Sequence, residues 1–304
     1  MSAGPPPAPR APGVIHDLGY ARYAGERRPP STLWRVIMRQ HLAHAWKTRW
    51  RVKPWILVAA LITVVAGGFM YLQTHETIRA LEQMGAPVRM LDGALPLAYD
   101  FYLKAAFMVT MTVGAATIAR DQESGAFTFY FARPVRPLDY VVGKLAGQAV
   151  LMAAVFAAGP LALAAFRVGL SASSGEALDQ LGLVPRVVVV SGLATVAYAA
   201  MPLAVSALSP RRTVALGMWA AYYIVGVSAV ATIGALTWAP LAAIDPATAV
   251  NAVAFELFDV QITRAVLPPA WAAIASLLLQ AAAAVAIVAH RVARLAEGSV
   301  GGSS

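Results

Sequence analysis

The chain has 304 residues, of which 59% are hydrophobic and only 13% are charged, and its formal net charge is +9. A soluble domain carries about 25% charged residues and cannot bury this much apolar surface, so the composition excludes an ordinary soluble protein and predicts an integral membrane protein. The absence of cysteine excludes disulfides, thiolate metal sites and a cysteine nucleophile. Basic residues lie mainly beside apolar segments, where they meet the lipid bilayer, so we expect no nucleic-acid partner.

Two elements precede the apolar segments. Residues 1–30 are rich in Pro, Ala, Gly and Arg without an apolar core, which predicts a disordered cytoplasmic tail and not a signal peptide. Residues 31–53 place apolar side chains on one helical face and most basic side chains off it, which predicts an amphipathic helix at the membrane interface. The apolar face comprises Trp34, Ile37, Met38, His41 and Ala45. Because His41 and His44 lack a third ligand, we expect interfacial residues there and no metal site.

Six apolar segments follow, each close to the roughly 20 residues that a membrane-spanning helix needs. They cover residues 54–72, 98–119, 141–166, 186–208, 213–236 and 270–290. The sequence therefore predicts an all-α integral membrane fold, with a six-span transmembrane domain over residues 54–292 and a cytoplasmic C-terminal tail over residues 293–304. Pro160 and Pro202 predict kinks in spans three and four.

The distribution of basic residues predicts which connections lie on the cytoplasmic side of the membrane and which lie on the outer side. Eighteen of the 24 lysines and arginines lie before span one, between spans two and three, between spans four and five, or after span six, counting Lys144 at the start of span three with the connection before it. Five lie on the opposite side, counting Arg186 at the start of span four with the connection before it, and Lys104 lies within span two. Because lysine and arginine are enriched in cytoplasmic loops, we expect both termini and the connection between spans two and three in the cytoplasm.

Two outer connections contain helical patterns too short to cross a membrane. The sequence of residues 176–183 predicts one short helix in the second outer connection. Within residues 237–269, Asp245 followed by Pro246 is typical of a helix start, so we predict a re-entrant or surface helix before span six. Glu256 and Asp259 are expected on one face of that helix, where they could rim an exit vestibule or belong to a solvated helix face.

Asp100 and Lys104 are one helical turn apart at the outer start of span two. An opposite charge four residues away allows an ion pair at the membrane rim. Ionisable groups inside a span are also functional candidates because they are costly to place there. Two interpretations therefore stay open: an ion pair at the outer rim, or a substrate path for an anionic or amphiphilic cargo. The candidates for such a path are Asp100, Lys104 and Glu256.

Enzymatic motifs are incomplete. Lys144 follows a glycine, but a phosphate-binding loop also needs a glycine where Leu138 stands and a Ser or Thr where Leu145 stands. His75 begins a pattern like that of zinc proteases, but Arg79 occupies the place of the second histidine. No Gly-x-Ser-x-Gly elbow occurs. We therefore expect no catalytic residues, no metal and no cofactor in this chain, and no enzymatic activity of its own.

The connection between spans two and three is dense in charges, prolines and aromatics. It reads RDQESGAFTFYFARPVRPLDYVVGKLAG over residues 120–147. We predict that span two continues as a helix through Glu123, that Ser124-Gly125 ends it, and that a short helix covers residues 126–132.

The same connection predicts how the short helix ends and packs. Pro134 and Pro137 stop it, and Asp139 helps to start span three. Phe127, Tyr130 and Phe131 fall on one side of the short helix. We expect a stiff cytoplasmic elbow, with these aromatics for packing and with Arg133 and Arg136 for charge pairing.

This connection resembles that of the ABC type-2 exporter permeases. In that family a Glu-Arg-x-x-Gly-Thr-like stretch ends the second span, and a Ser/Arg-Pro-Val/Ile-x-Arg element and a Gly-Lys pair follow. The matching residues are Glu123, Gly125, Arg133, Pro134, Val135, Arg136, Tyr140, Gly143 and Lys144. Ala126 stands where Thr is usual, and either Asp121 or Glu123 corresponds to the acid of the family. Within the family, the chain resembles the subgroup that includes the nitrous-oxide-reductase maturation and gliding-motility permeases.

The resemblance implies a permease that forms a homodimer in the bacterial plasma (inner) membrane. Each copy would engage an ATP-binding subunit on a separate chain, which holds the ATP and magnesium, and a periplasmic or accessory subunit is a further partner. The connection between spans two and three would act as a coupling helix that docks on that subunit. The residues assigned to coupling are Arg120, Asp121, Glu123, Gly125, Phe127, Tyr130, Phe131, Arg133, Pro134 and Arg136. A secondary transporter, a membrane scaffold and an intramembrane enzyme stay open as alternatives.

Overall fold

The computed structural model describes residues 32–47, 52–74, 93–132, 135–260 and 267–301. This part of the chain is nearly all helical. Its α-helices, in chain order, are α1 (Leu33–Lys47), α2 (Lys53–Leu72), α3 (Ala94–Val109), α4 (Ala115–Glu123), α5 (Ala126–Phe131), α6 (Pro137–Phe156), α7 (Ala158–Gly169), α8 (Ser174–Gln180), α9 (Leu183–Leu208), α10 (Arg212–Ala221), α11 (Val227–Thr237), α12 (Pro246–Leu257) and α13 (Ala270–Gly301). The predicted tail over residues 1–30, most of the first outer connection, and Arg133 and Pro134 lie outside the described residues.

Six helical segments are long and apolar enough to cross a membrane, judged by length and composition. They are Lys53–Leu72, Ala94–Glu123, Pro137–Gly169, Ser174–Leu208, Arg212–Thr237 and Ala270–Gly298. Each of the six apolar segments found in the sequence falls within one of them, in the same order, and we call them spans one to six. The last helix continues through the predicted C-terminal tail as far as Gly301.

Several of the spans are irregular along their length. Spans two and five each contain a π-helical turn, at Thr110–Gly114 and Tyr222–Gly226. The indole nitrogen of Trp219 donates to the Thr110 hydroxyl at 3.0 Å, so the two irregular regions are joined. Span three is interrupted at Ala157, three residues before Pro160, close to the predicted kink. Pro202, the site of the kink predicted in span four, lies inside α9, and this helix continues past it without interruption.

The amphipathic helix α1 packs against α6 of span three, and two glycines allow the close approach. A Cβ atom on Gly143 would lie 2.7 Å from Ile37, and one on Gly147 would lie 2.8 Å from the His41 ring. Ile37, His41 and Ala45 are buried as a result. This corrects the expectation that these residues meet the membrane interface, because their side chains face another helix of the protein.

Spans two and four are held together at the start and middle of α4. Gly114 packs against Pro202, where a Cβ atom would come within 3.1 Å of the proline ring. One turn further, the Ser206 hydroxyl accepts hydrogen bonds from the backbone N–H groups of Ile118 and Ala119, both at 3.0 Å. Buried backbone donors need partners, so this contact fixes the last turns of span two on span four.

The short helix before span six begins as predicted and is largely buried. The Asp245 carboxylate accepts from the backbone N–H of Thr248 at 3.2 Å and caps α12, whose first residue is Pro246. The helix packs against α13, α9 and α3. It ends at Leu257, and Asp259 follows it with a left-handed φ of 55°. The prediction that Glu256 and Asp259 share one helical face is therefore wrong, because the helix has ended before Asp259.

Candidate partner-coupling site

The connection between spans two and three forms a tight turn and a short helix. Helix α4 ends at Glu123, and Gly125 adopts a left-handed conformation with φ of 65°, which favours glycine. Helix α5 then covers Ala126–Phe131. Pro137 occupies the first turn of α6, and the Asp139 carboxylate accepts from the Arg136 backbone N–H at 3.2 Å. These local features agree with the predicted elbow, and we call residues 120–137 the connector.

Aromatic rings attach α5 to the start of span three. Phe127 is buried, and its ring stacks on that of Phe131 with a centroid distance of 5.6 Å. Tyr140 of α6 contacts the rings of Phe127 and Tyr130 at 5.2 and 5.4 Å. Phe127, Tyr130 and Phe131 thus contact one another's rings or that of Tyr140. Phe129 lies on the opposite face of α5 and is 76% exposed.

Beneath these rings lies an ion pair between the end of span two and the start of span three. The Lys144 ammonium is 2.7 Å from the Asp121 carboxylate, and the Tyr140 hydroxyl donates to the same carboxylate oxygen at 2.7 Å. Only 9% of the Lys144 side chain and 16% of the Asp121 side chain are exposed. A buried pair that is also hydrogen-bonded is costly to break, because the remaining charge is left uncompensated. The ion pair therefore joins the helix before the connector to the helix after it.

Helix α1 covers the ion pair from one side. The His41 ring donates to the Gln148 side-chain oxygen at 3.2 Å. Burial and the nearby Lys144 charge lower the pKa of His41 to about 3, so the ring is neutral at physiological pH. The Tyr130 hydroxyl donates to Gln40 at 3.3 Å, and burial raises the pKa of Tyr130. Next to them, Arg120 contacts His44.

Span six also reaches the connector. The end of α13 packs against α5, and Val292 and Ala296 are buried there. Arg291 donates to the backbone oxygen of Leu208 at 3.4 Å, at the end of span four. Helix α1, the connector, the turn between spans four and five and the end of span six therefore meet at one end of the helix bundle.

The two candidate acids of the connector have different surroundings. Asp121 is paired with Lys144, as described above. Glu123 is exposed and accepts from the backbone N–H of Arg212 at 3.3 Å, at the start of span five. The structure thus places Asp121, and not Glu123, in the ion pair with span three. Arg136 is exposed.

The candidate substrate-path residues lie away from the connector. Asp100 and Lys104 form an ion pair on an exposed face of span two. Asn251 of α12 donates to the other Asp100 oxygen at 3.3 Å. Glu256 is exposed on α12. Among the described residues, no group of three or more His, Cys, Asp or Glu side chains is placed to hold a metal ion.

Sequence reasoning missed three residues of the connector region. Gln40, His41 and Gln148 were not among the coupling candidates, yet they join α1 to α5 and α6. The spacing of Gly143 and Gly147 was an available signal, because small residues four apart often mark close helix packing. The sequence alone does not say which helix packs against them.

Comparison with known proteins identifies one family. The family model described as ABC-2 family transporter protein matches residues 46–294, which is more than half of the chain. The match includes the connector, spans one to five and most of span six. A search of curated proteins finds no match to the chain.

Proposed function

Because this chain belongs to the ABC-2 family of transporter proteins, and is therefore a multi-pass membrane permease of the ABC transporter class, we propose that it works as an exporter driven by a separate ATP-binding subunit. In this proposal the connector receives the force of ATP-dependent closure of the nucleotide subunits. The ATP and magnesium belong to that partner, and this chain contributes the membrane path.

The distribution of charge supports a cytoplasmic position for the connector. Eighteen of the 24 basic residues fall on the side that also carries the connector and both termini. In the structure, α1, the connector and the end of span six lie together at one end of the bundle. We place this end in the cytoplasm and the protein in the bacterial plasma membrane.

The observation that carries the proposal is the ion pair of Asp121 with Lys144 beneath α5. A displacement of α5 would be transmitted to span three through the contact between the rings of Phe127 and Tyr140. It would be transmitted to span two through the ion pair of Asp121. Span four would follow span two, because Ser206 fixes it to the last turns of that helix. Packed helices move as rigid bodies, so a displacement of the connector would tilt several spans together.

Two further features belong to the same proposal. We propose that two copies of the permease form a homodimer that encloses the path. The exposed pair of Asp100 and Lys104 lies at the opposite end of span two from the connector, where a cargo with a charged group would leave the path.

Co-purification with the ATP-binding subunit and the ATPase rate of the complex test this function. Lys144→Met should leave the two chains associated through the exposed surface of α5, yet reduce the ATPase stimulation by the permease. Lys53→Met, at an exposed lysine at the start of span one, serves as the matched control for loss of a lysine outside the connector. The proposal fails if complexes with changes throughout residues 120–137 form and hydrolyse ATP like the unmodified complex.

A further inference from the structure

A small polar cavity lies between α1, the end of span two and the start of span three. Its volume is about 110 Å³, which is several times the space that one buried water needs. The polar side chains that line it include Gln40, Arg120, Asp121, Tyr130 and Lys144. The contacts described above join several of these groups to one another, but they leave this space between them open.

The lining of the cavity has an excess of one positive charge among the described residues. Arg120 and Lys144 are cations, and Asp121 is the one carboxylate among the described residues that line the cavity. Burial keeps the pKa of His41 at about 3, so this ring is neutral. The Nε2 atom of His44 contacts the Arg120 guanidinium. Because a guanidinium only donates hydrogen bonds, this nitrogen accepts, and His44 is neutral as well. The cavity is therefore complementary to a group with one negative charge.

Both cations of the lining can donate hydrogen bonds to such a group. The Lys144 ammonium has three N–H groups, and its contact with Asp121 at 2.7 Å uses one of them. The Arg120 guanidinium has five N–H groups in a planar fork, a geometry that matches two oxygen atoms of one phosphate. Because only 9% of the Lys144 side chain is exposed, water screens its charge poorly, and a neighbouring anion is stabilised more strongly than at an open surface.

The surroundings of the cavity are those of the lipid headgroups. His44 lines the cavity, and Trp46 follows it by two residues on α1. Trp46 is 52% exposed, and the Lys53 ammonium at the start of span one lies 5.6 Å from the centre of its ring. An exposed tryptophan beside a lysine is typical of the boundary between the bilayer core and water, where phospholipid headgroups also lie. A phospholipid at this boundary can therefore present its phosphate to the cavity.

We propose that this cavity binds one phosphate group with a single negative charge, held by Arg120 and Lys144. A phosphodiester of an anionic phospholipid and a free phosphate ion share this chemistry, and the neighbouring Trp46 and Lys53 favour the phospholipid. Because Arg120 belongs to span two and Lys144 to span three, the bound phosphate adds a link between these spans beside that of Asp121. The inference goes beyond the proposed function, because it requires neither transport nor the ATP-binding subunit.

Thermal unfolding of the full-length chain in lipid-free detergent tests the site, because a ligand that binds the folded state raises the Tm. The first arm adds inorganic phosphate, with chloride at equal ionic strength as the reference. The second arm adds phosphatidylglycerol, whose headgroup is a phosphodiester with one negative charge, with diacylglycerol as the reference that lacks phosphate. We expect a saturable rise in Tm with phosphatidylglycerol, and the concentration at half of the rise gives the affinity.

Three single substitutions separate this site from a general effect of charge. Arg120→Gln removes a charged hydrogen-bond donor, so the affinity for phosphatidylglycerol should fall about tenfold or more. Gln40→Glu places a second carboxylate in the lining, and we expect a loss of similar size. Arg212→Gln is the matched control, because Arg212 is exposed at the same end of the bundle and is not among the described residues that line the cavity. Its affinity should change by less than about twofold.

The outcomes decide both the site and the source of the phosphate. A rise in Tm that Arg120→Gln and Gln40→Glu weaken, and Arg212→Gln does not, supports the site, and the arm in which it occurs identifies the source. If Arg120→Gln does not fold, the exposed position of Gln40 makes Gln40→Glu the deciding variant. An equal rise in all variants would mean that the phosphate binds elsewhere and would overturn the inference. No rise in either arm would overturn it as well.

Discussion

Lys144 near the start of span three lies 2.7 Å from Asp121 near the end of span two, and both side chains are mostly buried. The pair spans the connector, so the two helices that the connector joins in sequence are also joined in space. The hydroxyl of Tyr140 completes the contact. A loop that only linked two spans would not need this ion pair.

Removing one member of the pair should destabilise the protein strongly. Lys144→Met leaves the Asp121 carboxylate without its cation, and we expect a loss of about 3–5 kcal/mol in the free energy of unfolding. The double variant Asp121→Asn with Lys144→Met removes both charges and should recover much of this loss. Unfolding in detergent, followed by circular dichroism, measures the effect. Equal stability of the single variant and the unmodified chain would contradict the prediction.

The packing of α1 should depend on the small size of Gly147. Gly147→Val forces a side chain into the space of the His41 ring, so α1 should separate from span three at a cost of about 1–3 kcal/mol. Limited proteolysis should then cut within or beside α1 more rapidly. Gly192→Val in span four is the matched control, because among the described residues no atom lies within 4 Å of a Cβ atom there. Faster cleavage in both variants would show that the effect is not specific to Gly147.

His41 should make the stability depend on pH. Its pKa is about 3 in the folded protein and 6.5 as the ordinary value, so the unfolded chain binds one more proton between these values. The stabilising effect of keeping His41 neutral is complete above about pH 6.5 and is lost as pH falls towards 3. At pH 5 the loss amounts to about 2 kcal/mol. Thermal unfolding between pH 7.5 and 4.5 should show a shallower pH dependence for His41→Leu than for the unmodified chain; parallel curves would exclude this role.

Ser206 should be needed to hold spans two and four together. Ser206→Ala removes the acceptor of two buried backbone N–H groups, and we expect a destabilisation of about 2 kcal/mol. Hydrogen exchange at Ile118 and Ala119 should become faster. Ser228→Ala, which removes an exposed hydroxyl in span five, is the control and should leave both amides protected. Unchanged exchange in Ser206→Ala would mean that other contacts hold the two helices.

Local features of the sequence predicted much of this architecture. Apolar runs of bilayer length predicted the six spans, and Ser124-Gly125 predicted the end of the helix at Glu123. Asp245 before Pro246 predicted the start of α12. Each of these features depends on neighbouring residues, which a sequence displays directly.

Other features depend on contacts between distant residues. The π-helical turn near Thr110 accompanies a hydrogen bond from Trp219, more than one hundred residues away. Asp121 and Glu123 are two residues apart in the sequence, but in the structure Asp121 contacts Lys144 and Tyr140 whereas Glu123 contacts Arg212. The burial of His41 likewise follows from the approach of α1 to Gly147, which no helical periodicity indicates.

The movement of α5 on ATP binding tests the central claim most directly. The chain contains no cysteine, so Thr128→Cys on the exposed face of α5 accepts a single spin label. In the complex with the ATP-binding subunit, double electron–electron resonance then measures the distance between the labels on the two copies of the proposed homodimer. We predict that ATP shifts this distance, and that the shift is lost when Lys144→Met is added while the chains remain associated. An unchanged distance in a complex that binds and hydrolyses ATP would contradict the claim that the connector transmits force.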